Sequence, residues 1–128
     1  MTTPARSGVL IYAKQFDSMS AFYQRVLGAQ EVHADAQHRV LRSADAELIL
    51  HAIPPHIAAE ISIESPPLPR EEQAIKPFFT VASLAEAERV AVACGGRVLG
   101  PIWPGPGLRV RNVCDPEGNI LHLRERLE

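Results

Sequence analysis

The chain has 128 residues, 46% of them hydrophobic and 22% charged, with a formal net charge of −2. That length suits one domain with a sizeable core, and the near-balance of charge gives no basic field for nucleic acid or a polyanionic surface. No apolar stretch is long enough to span a membrane, and no signal peptide is read before Gly8, so a reduced cytoplasm is the expected compartment. Cys94 and Cys114 form neither a C-x-x-C pair nor a disulfide framework and are expected as small core residues.

Residues 8–14, GVLIYAK, make a β-rich apolar run. Residues 17–28, DSMSAFYQRVLG, follow as a helix with Asp17 or Ser18 as N-cap and Gly28 as its stop. Met19, Phe22, Tyr23, Val26 and Leu27 fall on its apolar stripe. AQEVHA, HRVLRS and AELILHA then read as three short strands separated by turn-prone residues such as Asp35 and Asp45. The order is β-α-β-β-β.

Residues 53–74 interrupt the pattern. The pairs Pro54-Pro55 and Pro66-Pro67 disfavour a helix and remove ladder donors, which predicts an extended linker; AEISIES inside it alternates as an edge strand would. The order then recurs. IKPFFTV (75–81) is a strand, and SLAEAERVAVACGG (83–96) is a helix with capping-box spacing at Ser83 and Glu86 and a Gly95-Gly96 stop. Leu84, Ala87, Ala91 and Cys94 line its buried stripe, with Val90 beside them. RVLG, GLRVRNV and NILHLRE complete three more strands, the last two joined by the tight turn Asp115-Pro116-Glu117-Gly118. GPIWPGPG (100–107) reads as a proline-stiffened flap.

The halves read as a tandem module repeated after roughly 66 to 71 positions. The last strand of each carries the same tripeptide, Ile49-Leu50-His51 and Ile120-Leu121-His122. Strand alternation puts His122 on one face with Ile120 and Arg124, opposite Leu121 and Leu123.

This arrangement resembles the glyoxalase, bleomycin-resistance and extradiol-dioxygenase superfamily, also called vicinal oxygen chelate. The resemblance rests on VLIYAKQFDSMSAFYQRVLG in the first module, and on FFTVASLAEAERVAVACGGRVLGPIW and DPEGNILHLRE in the second. It implies an α+β fold in which two βαβββ modules, about 8–52 and 75–125 of a single domain, form curled mixed sheets around a concave pocket. It also implies that modules pair within a chain or across two, so a homodimer is expected.

In metal-dependent members the ligands sit on the first and last strands of each module. The matching positions here are Gly8, Lys76, His122 and either His51 or Ile49. Glycine offers no ligand and a lysine cation has no lone pair, so at most two of four ligands remain. Glu47 shares a face with His51 but stands roughly 13 Å away along the strand. A metal (zinc, nickel or iron) would need a third ligand from Glu64, Glu71 or Glu72 of the linker or from another chain. His33, His38 and His56 read as surface residues.

No metal or other cofactor is therefore expected, and no catalytic residue can be named. The remaining feature is a mostly apolar pocket in which Leu10 and Tyr12 face inward in one module and Lys76, Phe78 and Thr80 in the other. Its expected ligand-binding residues are Tyr12, His51, Phe78, Trp103, Arg109 and His122. Trp103 reads equally as a core anchor. Arg109 and Arg111 share a strand face, either as solvated edge residues or as captors of an anionic group. The expected function is binding of a small, partly apolar molecule, as in the bleomycin-resistance branch. The alternative is a metal-dependent lyase, isomerase or dioxygenase with an atypical site using His51 and His122.

Overall fold

A computed structural model describes residues 5–127. The first module consists of β1 (Val9–Ala13), α1 (Phe16–Leu27), β2 (Gln30–Ala34), β3 (His38–Arg42) and β4 (Glu47–Ala52). After a short helix α2 (Pro55–Ala58), the second contains β5 (Phe78–Thr80), α3 (Leu84–Ala93), β6 (Arg97–Gly105), β7 (Leu108–Cys114) and β8 (Ile120–Arg126). The two curled sheets have the same order, β1-β4-β3-β2 and β5-β8-β7-β6. Each is mixed, because its first and last strands pair in parallel while the others run antiparallel.

Alternation decides which face of each sheet is covered. Ala13, Leu48 and Leu50 in one module, and Leu121 and Leu123 in the other, are buried under the helices. There they join Met19, Phe22 and Tyr23 of α1 and Leu84 and Ala91 of α3 in one core. Full burial of each such Leu or Phe contributes about 2 kcal/mol. The two helices also pack on each other, so the modules share this core.

Helix ends follow local chemistry with one exception. Gly28 stops α1 in the left-handed conformation, φ 63°, and the Ser83 side chain accepts a bond from Glu86 N at the start of α3. However, α1 begins at Phe16 with Gln15 as an N-cap that makes no side-chain bond, so neither Asp17 nor Ser18 caps it. Asp17 lies inside the first turn, where its charge suits the helix dipole, and it accepts a bond from Arg39.

Prolines account for two of three further differences. Pro55 opens α2 at a position where a helix needs no N–H, so the first proline pair starts a helical turn rather than excluding one. AEISIES forms no strand. The expected flap is instead largely strand β6, which tolerates Pro101 and Pro104 because it lies at the sheet edge. A Pro106-Gly107 turn, with Gly107 at φ 69°, returns the chain to β7.

The turn before β8 is a buried clasp between modules. Asp115 accepts bonds from Glu117 N, Asn119 N and Asn119 Nδ2, and at 2.7 Å from the Tyr23 hydroxyl of α1. Burial pushes the Asp115 carboxyl above the usual carboxylate range. Burial, and then the Asp115 charge, push the Tyr23 phenol well above its usual value, which keeps that hydroxyl a donor. Glu117 accepts a bond from Gln15 N at 2.6 Å, just before α1. The linker closes over this turn: Arg70 N and Nε donate to the Gly118 and Glu117 carbonyls. The Gln73 side-chain amide pairs with Ile120 N and O as a strand neighbour would, both at 2.8 Å.

Candidate functional site

The faces turned away from the helices are open. Leu10, Tyr12, Phe78 and Trp103 are each more than half exposed there, an apolar display that solvent alone does not favour. Register sets what stands beside them.

On the first sheet, His38, His51 and Tyr12 lie side by side across β3, β4 and β1. The His51 ring centroid is 4.9 Å from Tyr12 and 4.5 Å from His38. His51 Nδ1–H donates to the Ala52 carbonyl at 2.8 Å, which leaves Nε2 as the free acceptor of the neutral ring. His38 is thus part of this row rather than a bystander on the surface. Asp35 bonds His33 Nε2 at 2.9 Å and His38 Nδ1 at 3.1 Å, and its Oδ1 also accepts from Gln37 N and His38 N. The His33 bond, then the backbone bond from Gln37, hold the Asp35 carboxyl well below the usual range. Two rows further along the same face, beyond Val40 and Ile49, Arg42 pairs with Glu47. At the outer edge of β1, Leu10 and Tyr12 meet Ile53, Ile61 and Ile75 of the linker around a cavity of about 590 Å³.

On the second sheet, Leu99, Asn112, His122 and Phe78 form one row across β6, β7, β8 and β5. Trp103, Val110, Arg124 and Thr80 form the next. The Arg124 guanidinium lies over the Phe78 ring at 3.8 Å from its centroid. Burial, followed by the charges of Lys76 and Arg124, lowers the His122 imidazole below its usual value, so the ring is neutral at pH 7.

Five of the six ligand-binding residues expected from sequence therefore stand on open faces, in two groups. Tyr12 and His51 belong to the first, Phe78, Trp103 and His122 to the second. Arg109 does not join them. It shares the helix-side face with Arg111, opposite His122, because its register partner on β8 is Glu125. Arg109 donates to Glu125 Oε2 at 2.5 Å, while Glu125 Oε1 accepts from Leu84 N at the start of α3. It braces a helix terminus. Arg111 faces Glu88 of α3 at 3.9 Å. Arg124 and Asn112 take the place sought for Arg109; strand alternation from His122 already put Arg124 on this face. His38 required the β3–β4 register.

The metal positions implied by the superfamily do not fit a metal here. A side chain at Gly8 would meet the Glu47 carbonyl oxygen at 2.4 Å, and Lys76 brings a positive charge. Glu64, Glu71 and Glu72 are exposed. Among the described residues no group of three or more His, Cys, Asp or Glu side chains could hold a metal ion. None of their helices is long and apolar enough to cross a membrane.

Comparison with known proteins agrees with this fold. The crystal structure of a glyoxalase/bleomycin resistance protein/dioxygenase family enzyme from Burkholderia phytofirmans PsJN superposes with a TM-score of 0.69 at 23% identity, over 94% of this chain and 98% of that one. The bleomycin resistance determinant encoded on transposon Tn5 gives 0.63 at 24%, over 96% and 98%. The fosfomycin resistance protein FosX from Listeria monocytogenes gives 0.66 at 14%, over 98% and 93%. No curated protein sequence matches the chain. The glyoxalase-like domain family matches residues 8–123, nearly the whole chain, and the protein belongs to that family.

Proposed function

We propose that this chain binds a small, partly apolar molecule on the open faces of its sheets, as a homodimer and without a complete metal site of its own. The observation that carries the reading is the exposed Leu10, Tyr12, Phe78 and Trp103 beside His51 and His122, while two of the four superfamily metal positions hold Gly8 and Lys76. An apolar surface with a few oriented polar groups is how small-molecule sites are built. A bleomycin-binding protein whose structure was solved with bleomycin has the same fold, which supports the reading. In this role the imidazoles orient the ligand. His51 offers Nε2 as an acceptor, and His122 offers one donor and one acceptor.

Pairing of two copies would cover the exposed apolar faces and close the site, and light scattering should give a dimer mass; a monomer at all concentrations would remove that part of the proposal. The free thiols Cys94 and Cys114 suit a reduced cytoplasm. The function is tested by metal analysis of protein purified without chelator, followed by a ligand-stabilisation screen. We expect metal content near zero, unchanged by added zinc, nickel or iron, and ligand-induced stabilisation that His51→Ala or His122→Ala weakens without unfolding the protein. A near-stoichiometric metal that disappears in His122→Ala would replace this reading with a metal-dependent enzyme.

A further inference from the structure

We infer that the open face of the second sheet holds a carboxylate subsite, centred on Arg124 and Asn112, for a ligand whose body is aromatic or otherwise apolar. The inference rests on the reading that this face binds a small molecule, and it names that molecule's class.

Charge distribution carries it. The acidic side chains of the second module are engaged elsewhere: Glu86 with Arg89, Glu88 with Arg111, Glu125 with Arg109 and Leu84 N, and Asp115 and Glu117 in the clasp. Arg124 has no ion pair among the described residues, and its Nε is buried with no hydrogen-bond partner. Its guanidinium lies over the face of Phe78. Asn112 Oδ1, in the neighbouring row, is also buried and unpartnered. Arg126 lies two residues further along the same face of β8, and Lys76 acts on His122 from the other end.

A guanidinium left without an acid on an apolar face costs desolvation that a ligand anion would offset. The Phe78 ring beneath it restrains the guanidinium, whose forked donors match the two oxygens of a carboxylate. The Asn112 amide can supply a further N–H to that anion when its oxygen takes a donor from the ligand or water. Trp103, Val110, Leu99 and Phe78 surround this point with apolar surface for the ligand body. The first sheet offers no equivalent, because Arg42 is paired with Glu47 and Asp35 serves both His33 and His38.

Calorimetric titration of the whole protein with benzoate, 1-naphthoate and 2-anthroate, each against its neutral carbinol, tests the inference. The carboxylates should bind about ten- to a hundredfold more tightly than the carbinols, the range expected for charge-assisted hydrogen bonds. Arg124→Gln should abolish that preference while keeping carbinol binding, which also shows that the variant is folded. Arg124→Lys, which keeps the charge but not the fork, should retain part of it. Equal or tighter binding of the carbinols, or an anion preference that persists in Arg124→Gln, would overturn the carboxylate subsite and leave the small-molecule reading in place. Absence of binding by either series would overturn both.

Discussion

The hairpin turns that lead into β4 and β8 occupy the same place in two sheets of the same order, yet their surroundings are opposite. In the first module, Ser43 and Ala46 close the turn through one backbone bond at 2.9 Å, and Ala44 and Asp45 between them are exposed. In the second, Asp115 to Gly118 are buried between α1 and the linker. The open faces differ in the same sense. The acids on the first pair with its basic groups, whereas the second presents Arg124 and Arg126 with no acid among the described residues. A duplicated topology has thus been divided: the second module supplies both the seam and the uncompensated cations. Equivalent positions in the repeat do not imply equivalent roles.

The largest effect should come from breaking the buried turn. Asp115→Ala leaves four donors, among them the Tyr23 hydroxyl and two backbone N–H groups, without their acceptor inside the seam. Urea unfolding should show a loss of about 3 kcal/mol or more, because buried unsatisfied groups carry their full desolvation cost. Asp45→Ala in the first module should stay within about 0.5 kcal/mol. Comparable losses at the two sites would erase the distinction between the turns.

A smaller loss is expected at Gly118, which has φ 88° and lies under the linker. A methyl group there would meet the Leu68 carbonyl oxygen at 2.1 Å, so Gly118→Ala combines backbone strain with displacement of residues 68–70. We expect about 2 kcal/mol, with linker amides such as Arg70 exchanging faster with solvent. Gly100→Ala, at φ 67° with open space around its position, carries the strain alone and should cost less. Equal costs would show that the linker gives way freely over the turn.

These differences mark how far the sequence could be read. Alternation along β1, β4 and β8 placed Tyr12, His51 and His122 correctly, because the face of a strand residue is a local property once its apolar neighbours are buried. The same logic grouped Arg109 with Arg111 but could not say which face they share. That depends on the register of β7 against β8, where Arg109 meets Glu125. The clasp was legible only as a turn. Its burial requires Tyr23 and Gln15, roughly a hundred residues away, and no local pattern reports that. The linker misled through its prolines, since Pro55 suits the first turn of a helix as well as an extended segment. The segment around Trp103 reads as a flap for a related reason: edge strands accept prolines that a central strand would not, and 100–105 belong to β6.

The smallest expected effect sharpens the electrostatic half of the comparison. Burial lowers the His122 imidazole below its ordinary 6.5, and Lys76 and then Arg124 add to the shift by disfavouring a second positive charge. A depressed folded value means that the unfolded chain takes up the proton first. The contribution of His122 to stability is therefore present above about 6.5 and is lost as pH falls through the folded value. Lys76→Gln and Arg124→Gln should each move the His122 titration upward in an NMR pH series, Lys76→Gln by more. Neither should restore 6.5, since the burial remains. Both should also reduce the part of the stability loss between pH 7 and 5 that comes from His122. A His122 titration that did not respond to either substitution would mean that the cations of this face do not act on the histidine, and the second sheet would lose its electrostatic contrast with the first.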